Sequence, residues 1–186
     1  MSTPTADMDP KKLIELAKKG DERAFTVLYE QYATPLYRYI YFRVARKEEA
    51  EDLLQTVFLK AYRSLPKFRD LGKSPLTFFY TVARNTVIDY QRKNKEFFLE
   101  DFEEVARRLP DDGPNTVDLI ADRVDSARIQ EALKKISPDQ REVLILRFMN
   151  DLSAGEISQL IGKTEESVRQ LQSRGLKALR NELQRR

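Results

Sequence analysis

The residues best suited to molecular recognition lie along one helical stretch in the last third of the chain. From Glu165 onward, Arg169, Gln170, Arg174 and Lys177 recur at spacings that place them on the outward face of a helix. Arginine and glutamine form paired hydrogen bonds with base edges in the major groove, whereas lysine mainly contacts phosphates. The stretch therefore indicates nucleic-acid binding.

In contrast, the sequence lacks the residue types that most often carry out catalysis. The 186 residues include no His and no Cys. This removes the usual general base at neutral pH, the commonest metal ligand, and every disulfide or zinc–thiolate site. The sequence also has no nucleophile–base pair and no phosphate-cradling Gly loop. We therefore expect no enzymatic activity, no cofactor and no metal.

The basic residues belong to a segment with the layout of a helix-turn-helix. A short amphipathic helix opens at a capping box of Ser153 and Glu156, and Gly162 supplies the turn before the second helix. The second helix would lie in the DNA major groove. The alternative is a helical hairpin whose basic face is only solvated.

The rest of the chain is also helical in pattern. Asp9–Pro10, Asp21 and Ser74–Pro75 are helix openings, and Pro35 is expected to interrupt or kink the second helix. No strand-period run occurs. The prediction is an all-α protein of two small helical domains, residues 10–95 and 126–186, joined by an acidic linker over residues 96–125.

The charge distribution supports this division. Residues 1–95 carry 18 basic and 12 acidic side chains, residues 96–125 carry 3 and 10, and residues 126–186 carry 12 and 8. Two basic blocks with an acidic connection suggest two units that face nucleic acid, although charge-rich solvated helices alone would give a similar balance.

Aromatic and basic residues also mix in the first domain. Phe68, Tyr80, Arg84, Asn85 and Arg92 flank a basic loop and helix. Rings, amides and guanidinium groups together suit single-stranded DNA, whose bases stack on the rings. The alternative is that each ring belongs to the core.

Three blocks in order resemble the extracytoplasmic-function (ECF, group 4) sigma factors of bacterial RNA polymerase. They are Glu49–Phe58, Ala83–Tyr90 and Leu152–Leu179, and the start of the first domain, Gly20–Phe25, is also similar. The resemblance extends from about Pro10 to Leu183. It implies a protein that directs core polymerase to specific promoters.

The resemblance also implies roles for particular residues. The clamp helices of the polymerase largest subunit would bind Asp52, Gln55, Thr56 and Phe58. The melted −10 element would contact Phe68, Lys73, Tyr80, Arg84, Asn85, Asp89 and Arg92. The duplex −35 element would contact Lys163, Thr164, Ser167, Arg169, Gln170, Arg174 and Lys177.

Further partners follow from the same resemblance. The second domain would lean on the polymerase flap, and an anti-sigma factor would cover both domains. No apolar stretch approaches the length of a membrane span, so we expect a cytoplasmic protein without membrane insertion.

Two other functions remain open from the residues alone. A helix-turn-helix regulator would bind duplex operators without polymerase, its first domain sensing a ligand or dimerising. A helical adaptor or sigma decoy would bind only proteins, and its activity would survive charge reversal at Arg169, Arg174 and Lys177.

Overall fold

The computed structural model describes residues 4, 5, 7–44, 46–68, 74–93 and 123–184, with side chains in the last range from Arg128 onward. Within these ranges the chain is helical and has no strand, which confirms the all-α prediction. In chain order the helices are α1 (Pro10–Lys18), α2 (Glu22–Val44), α3 (Lys47–Ser64), α4 (Pro75–Lys93), α5 (Arg123–Lys135), α6 (Pro138–Leu144), α7 (Ala154–Ile161) and α8 (Glu165–Gln184).

Local signals open several of these helices as predicted. The Asp9 carboxylate accepts the Lys11 backbone N–H at 3.0 Å, with Pro10 in the first turn of α1. The Asp21 carboxylate accepts the backbone N–H groups of Arg23 and Ala24 ahead of α2. These bonds satisfy donors that have no partner within the helix.

Helix α2 continues through Pro35, contrary to the expected interruption. Buried residues on both sides of the proline, including Tyr32, Leu36 and Ile40, hold the helix against α3 and α4. Packing of this face outweighs the backbone hydrogen bond that a proline removes, a loss of about 3 kcal/mol in an exposed helix.

The first domain is built from α1 to α4. Helices α2, α3 and α4 pack mutually, and α1 covers α2. A cluster of aromatic rings fills the centre, where Phe58 lies 4.5 Å from Tyr29 and 5.6 Å from Phe79 between ring centroids. The second domain places α8 against α5, α6 and α7.

Gly175 allows the close approach of α8 to α6. A Cβ at this position would lie 3.2 Å from both Gln140 Cβ and Leu144 Cγ. The position is buried. The glycine therefore serves packing.

The two domains contact each other directly. Helix α4 packs on α7, and α2 packs on the π-helical turn Ile145–Met149 that follows α6. The Asn150 side chain donates a hydrogen bond of 2.6 Å to the Pro35 carbonyl, a contact that joins residues far apart in sequence. We call this boundary the domain seam.

Most of the predicted linker, residues 96–122, lies outside the described residues, and the remaining residues 123–125 belong to α5. Among the described helices, none is long and apolar enough to cross a membrane.

Candidate nucleic-acid interface

The helix-turn-helix of the second domain is formed by α7, Gly162 and α8. Ser153 and Glu156 cap α7 reciprocally: Glu156 N–H donates to Ser153 Oγ at 3.2 Å, and Ser153 N–H donates to Glu156 Oε2 at 2.8 Å. Gly162 ends the helix in the left-handed region with a φ of 69°. This conformation favours glycine and redirects the chain into α8.

Helix α8 begins at a second side-chain cap. Thr164 Oγ1 accepts the Ser167 backbone N–H at 3.2 Å and lies 2.8 Å from Ser167 Oγ. Both hydroxyls, predicted as DNA contacts, thus also fix the first turn of α8. That geometry holds the side chains that follow in a defined direction.

The predicted −35 residues share one exposed face. Lys163, Arg169, Gln170, Arg174 and Lys177 are all exposed, and a shallow cavity of about 380 Å³ runs along this face. Its lining comprises Gly162, Lys163, Thr164, Ser167, Gln170, Leu171 and Arg174. The surface presents cations and an amide, the groups that read phosphates and base edges.

Two cations of this face are already paired with carboxylates. Arg169 forms an ion pair of 2.9 Å with Glu165, one turn earlier on α8. Lys163 forms one of 3.0 Å with Asp139 on α6. Exposed pairs of this kind contribute little stability, so DNA can replace the carboxylates at small cost.

In the first domain, the predicted −10 residues separate into distinct environments. Asn85 and Arg92 are exposed on α4, and Arg92 pairs with Asp89 at 3.3 Å. Phe68 is half-buried, with its ring centroid 4.8 Å from that of Phe78. Lys73 lies outside the described residues.

Tyr80, predicted as a −10 contact, lies in the core. Its side chain is fully buried, with the ring edge-to-face against Tyr39 at 5.6 Å. Burial raises the pKa of Tyr80, and residues of the second domain, Asn150, Asp151 and Glu156, lie near its hydroxyl. The ring is therefore not accessible in this arrangement, and the contact of Tyr80 with DNA stays a prediction.

Arg84 is also engaged at the seam. Its Nε lies 3.4 Å from Glu142 Oε1, and the same carboxylate accepts a hydrogen bond of 2.7 Å from the Tyr39 hydroxyl and an ion pair from Arg43. The sequence analysis missed Tyr39, Arg43 and Glu142. The signal available in the sequence was the position of Glu142 directly before the apolar run Val143–Leu146. A carboxylate buried with such a run needs a charged or hydrogen-bonding partner.

The predicted polymerase-binding residues on α3 are exposed at Asp52 and Gln55, half-buried at Thr56 and buried at Phe58. Asp52 and Gln55 point to solvent, and the Thr56 hydroxyl donates to the Asp52 carbonyl at 3.0 Å. Phe58, however, is only 4% exposed and lies in the aromatic cluster. Its ring faces the domain core in this structure, and its contact with polymerase stays a prediction.

Exposed apolar side chains next to Phe58 had not been singled out. Leu59 is 58% exposed, Tyr62 42% and Tyr29 43%. The rings of Phe25 and Tyr62 meet edge-to-face at 4.9 Å, so the patch is continuous with the core cluster. Together with Asp52 and Gln55, α3 presents both polar and apolar surface to solvent.

Comparison with protein families defines the class of protein. Residues 28–97 match Sigma-70 region 2, and residues 132–181 match Sigma-70, region 4. The chain belongs to the sigma-70 family, and its relatives place it among the ECF RNA polymerase sigma factors. It is thus a DNA-binding factor that directs transcription initiation. This role does not favour the alternative of a helix-turn-helix regulator that binds duplex operators without polymerase.

Two relatives illustrate the similarity. The chain is 36% identical over 186 residues to the ECF RNA polymerase sigma factor BldN of Streptomyces coelicolor, covering 95% of this chain and 67% of BldN. It is 30% identical to the ECF RNA polymerase sigma factor SigW of Bacillus subtilis, covering 95% of this chain and 98% of SigW.

Solved structures show the same fold. CnrH, in complex with the cytosolic domain of CnrY, aligns with a TM-score of 0.71 at 21% identity, covering 95% of this chain and 96% of CnrH. The sigma factor RpoE of Bartonella quintana, in complex with the anti-sigma factor NepR, aligns with a TM-score of 0.66 at 21% identity, covering 87% of this chain and 97% of RpoE.

Proposed function

We propose that this chain is a group 4 sigma factor that binds polymerase and promoter DNA through separate faces of its two domains. Residues 10–95 form the polymerase-binding and −10 unit, residues 126–186 form the −35 unit, and the acidic segment 96–125 connects them. The protein acts in the cytoplasm. The observation that carries the proposal is the exposed row of cations and an amide on α8, fixed by the cap at Thr164.

The −35 duplex would bind the exposed face of α8. Arg169, Gln170 and Arg174 reach base edges, and Lys163 and Lys177 contact phosphates. Each phosphate contact releases counterions from DNA, so affinity falls with rising salt by a predictable slope.

The −10 strand would bind α4 and the loop before it. The residues proposed for this surface are Phe68, Lys73, Arg84, Asn85, Asp89 and Arg92. Stacking of an unpaired base on a ring contributes roughly 1–3 kcal/mol, which offsets the cost of unpairing it.

Polymerase would bind Asp52, Gln55 and Thr56 of α3 through the clamp helices of its largest subunit, and the second domain would contact the flap. An anti-sigma factor is a further proposed partner, since the similar structure of RpoE from Bartonella quintana is a complex with the anti-sigma factor NepR. Exposed carboxylate and amide groups on α3 suit a basic partner surface.

Run-off transcription with core polymerase tests the function. The wild-type protein should direct initiation at a subset of genomic promoters. Asp52→Lys should reduce the transcript yield by weakening polymerase binding. Glu15→Lys makes an equal charge change at an exposed position on α1 and should leave the transcript yield unchanged. A folded wild-type protein that supports no initiation would contradict the proposal.

Duplex binding is tested on α8 with a matched pair. Lys177→Ala should weaken binding to the promoter duplex and lower the salt slope by about 0.9 for one lost phosphate contact. Lys12→Ala removes the same charge from an exposed position on α1 of the first domain and should not change the slope. Equal effects of both variants would mean that only net charge matters.

A further inference from the structure

The domain seam contains a convergent group of donors around one carboxylate. Glu142 of α6 is 5% exposed and receives the Tyr39 hydroxyl at 2.7 Å, the Arg43 guanidinium, and Arg84 at 3.4 Å. All three donors belong to the first domain, on α2 and α4. They form a site for an oxyanion, which we call the seam cradle, and Glu142 of the second domain occupies it.

The seam cradle is organised by the first domain itself. Gln91 of α4 donates from Nε2 to the Arg43 carbonyl at 3.0 Å and accepts from the Arg43 guanidinium at 3.4 Å. The Arg43 guanidinium also lies 5.9 Å from the centre of the Tyr39 ring. Arg43 is therefore held in place by contacts that do not involve Glu142 and would remain after the second domain moves away.

The positive charge at the seam exceeds the negative charge. Arg38 and Arg43 each have a buried Nε without a hydrogen-bond partner in the described part of the chain. Arg141, next to Glu142, lies close enough to Arg43 that burial and this neighbour both lower its pKa. Besides Glu142, Asp151 and Glu156 lie near the Tyr80 hydroxyl, yet the buried Nε groups of Arg38 and Arg43 still have no hydrogen-bond partner among the described residues.

The same closure engages groups suited to a DNA strand and leaves the Arg84 side chain only 32% exposed. Arg84 is tied to Glu142, and the second domain covers Tyr80, whose ring is fully buried. A carboxylate and a backbone phosphate are both oxyanions that arginine binds through paired hydrogen bonds. Glu142 therefore sits where an anionic ligand of α4 would otherwise bind.

We propose that Tyr39, Arg43 and Arg84 bind a backbone phosphate of the promoter strand, and that Glu142 fills this site when the two domains are closed. DNA and the second domain compete for the same donors. Strand binding thereby favours the open protein, and closure suppresses DNA binding by the free sigma factor. This inference rests on the proposed function and adds Tyr39 and Arg43 to its DNA surface.

The test compares two variants that break the same ion pair from opposite sides. Glu142→Gln removes the competing anion and keeps the cradle, whereas Arg43→Gln removes a cradle donor. Both should open the seam. Because the chain has no cysteine, Lys60→Cys on α3 and Arg180→Cys on α8 allow specific dye labelling, and energy transfer between the dyes reports the domain separation.

Binding of a mixed-sequence single-stranded oligonucleotide is measured for the same full-length proteins. Apparent affinity scales with the fraction of competent open protein, so Glu142→Gln should bind about tenfold more tightly than wild type. Arg43→Gln should bind more weakly than Glu142→Gln, with a salt slope smaller by about 0.7 for one lost phosphate. Glu131→Gln, an exposed change on α5, should match wild type in both measurements.

Thermal unfolding by circular dichroism checks that each variant is folded. Unchanged energy transfer in folded Glu142→Gln would overturn the closure, and equal affinity and slope for the two opened variants would overturn the phosphate site. Failure of the sigma function itself is seen separately, as absent run-off transcription by wild-type protein with core polymerase.

Discussion

Truncating Phe58 to alanine tests whether the middle of α3 is core or contact surface. The ring is 4% exposed and lies 6.2 Å from Phe25, 4.5 Å from Tyr29 and 5.6 Å from Phe79 between centroids. Its removal would leave a cavity bordered by three aromatic rings. Buried Phe to Ala changes cost about 3–5 kcal/mol, which is a large share of the stability of a small domain.

Leu59 provides the matched control because it is the next residue on the same helix and is 58% exposed. Leu59→Ala removes a side chain of similar chemistry from solvent rather than from the core. Surface changes of this kind usually stay within about 0.5 kcal/mol. The two neighbours should thus differ by several kcal/mol in their effect on unfolding.

Urea unfolding followed by circular dichroism measures this difference. With a denaturant slope of roughly 2 kcal/mol per molar, Phe58→Ala should lower the unfolding midpoint of the first domain by on the order of 2 M. Polymerase binding is then measured below that midpoint. If Phe58→Ala keeps the wild-type midpoint yet loses polymerase binding, the ring is a contact residue and the reasoning from burial is refuted.

Three further predictions concern caps, turns and buried phenols. Ser153→Ala removes the capping box with Glu156 and should destabilise the second domain by about 0.5–2 kcal/mol, measured by thermal unfolding; an unchanged melting curve would contradict it. Gly162→Ala meets no atom within 4 Å but keeps a φ of 69°, so backbone strain alone should cost about 1–2 kcal/mol in urea unfolding. Burial, with a smaller effect of Asp9, raises the pKa of Tyr32 from 10.0 to about 12. Stability should therefore be full below pH 10 and decline as pH rises toward 12. Tyr32→Phe should lessen that decline in an alkaline titration followed by phenolate absorbance and circular dichroism.

Features set by neighbouring residues could be predicted from the sequence. The caps at Asp9 and Ser153 and the turn at Gly162 each depend on one side chain or one backbone angle within a few positions. The exposed face of α8 follows from helical spacing alone. Pro35 shows the limit, because its local penalty was overcome by packing from α3 and α4.

The burial of Phe58 and Tyr80, which the sequence did not predict, has a common physical origin. Helical spacing tells which residues share a face, but not how many neighbouring helices cover it. Helix α4 packs on α2 and α3 and also on α7 of the second domain, so successive positions Phe79 and Tyr80 are both buried. Glu142 was missed for the same reason, since its partner Tyr39 is 103 residues away.

The chemistry of the seam bears on how firmly the domains close. Buried ion pairs gain Coulomb energy but lose hydration, so they contribute less net stability than apolar packing of the same volume. Removing one partner is nonetheless costly, because the other charge stays buried. A seam joined by Glu142, Arg43 and the Asn150–Pro35 hydrogen bond therefore specifies one closed arrangement without making it very stable. Under the proposal above, a ligand that supplies an anion of its own to Arg43 and Arg84 competes with Glu142 and shifts the population toward the open form.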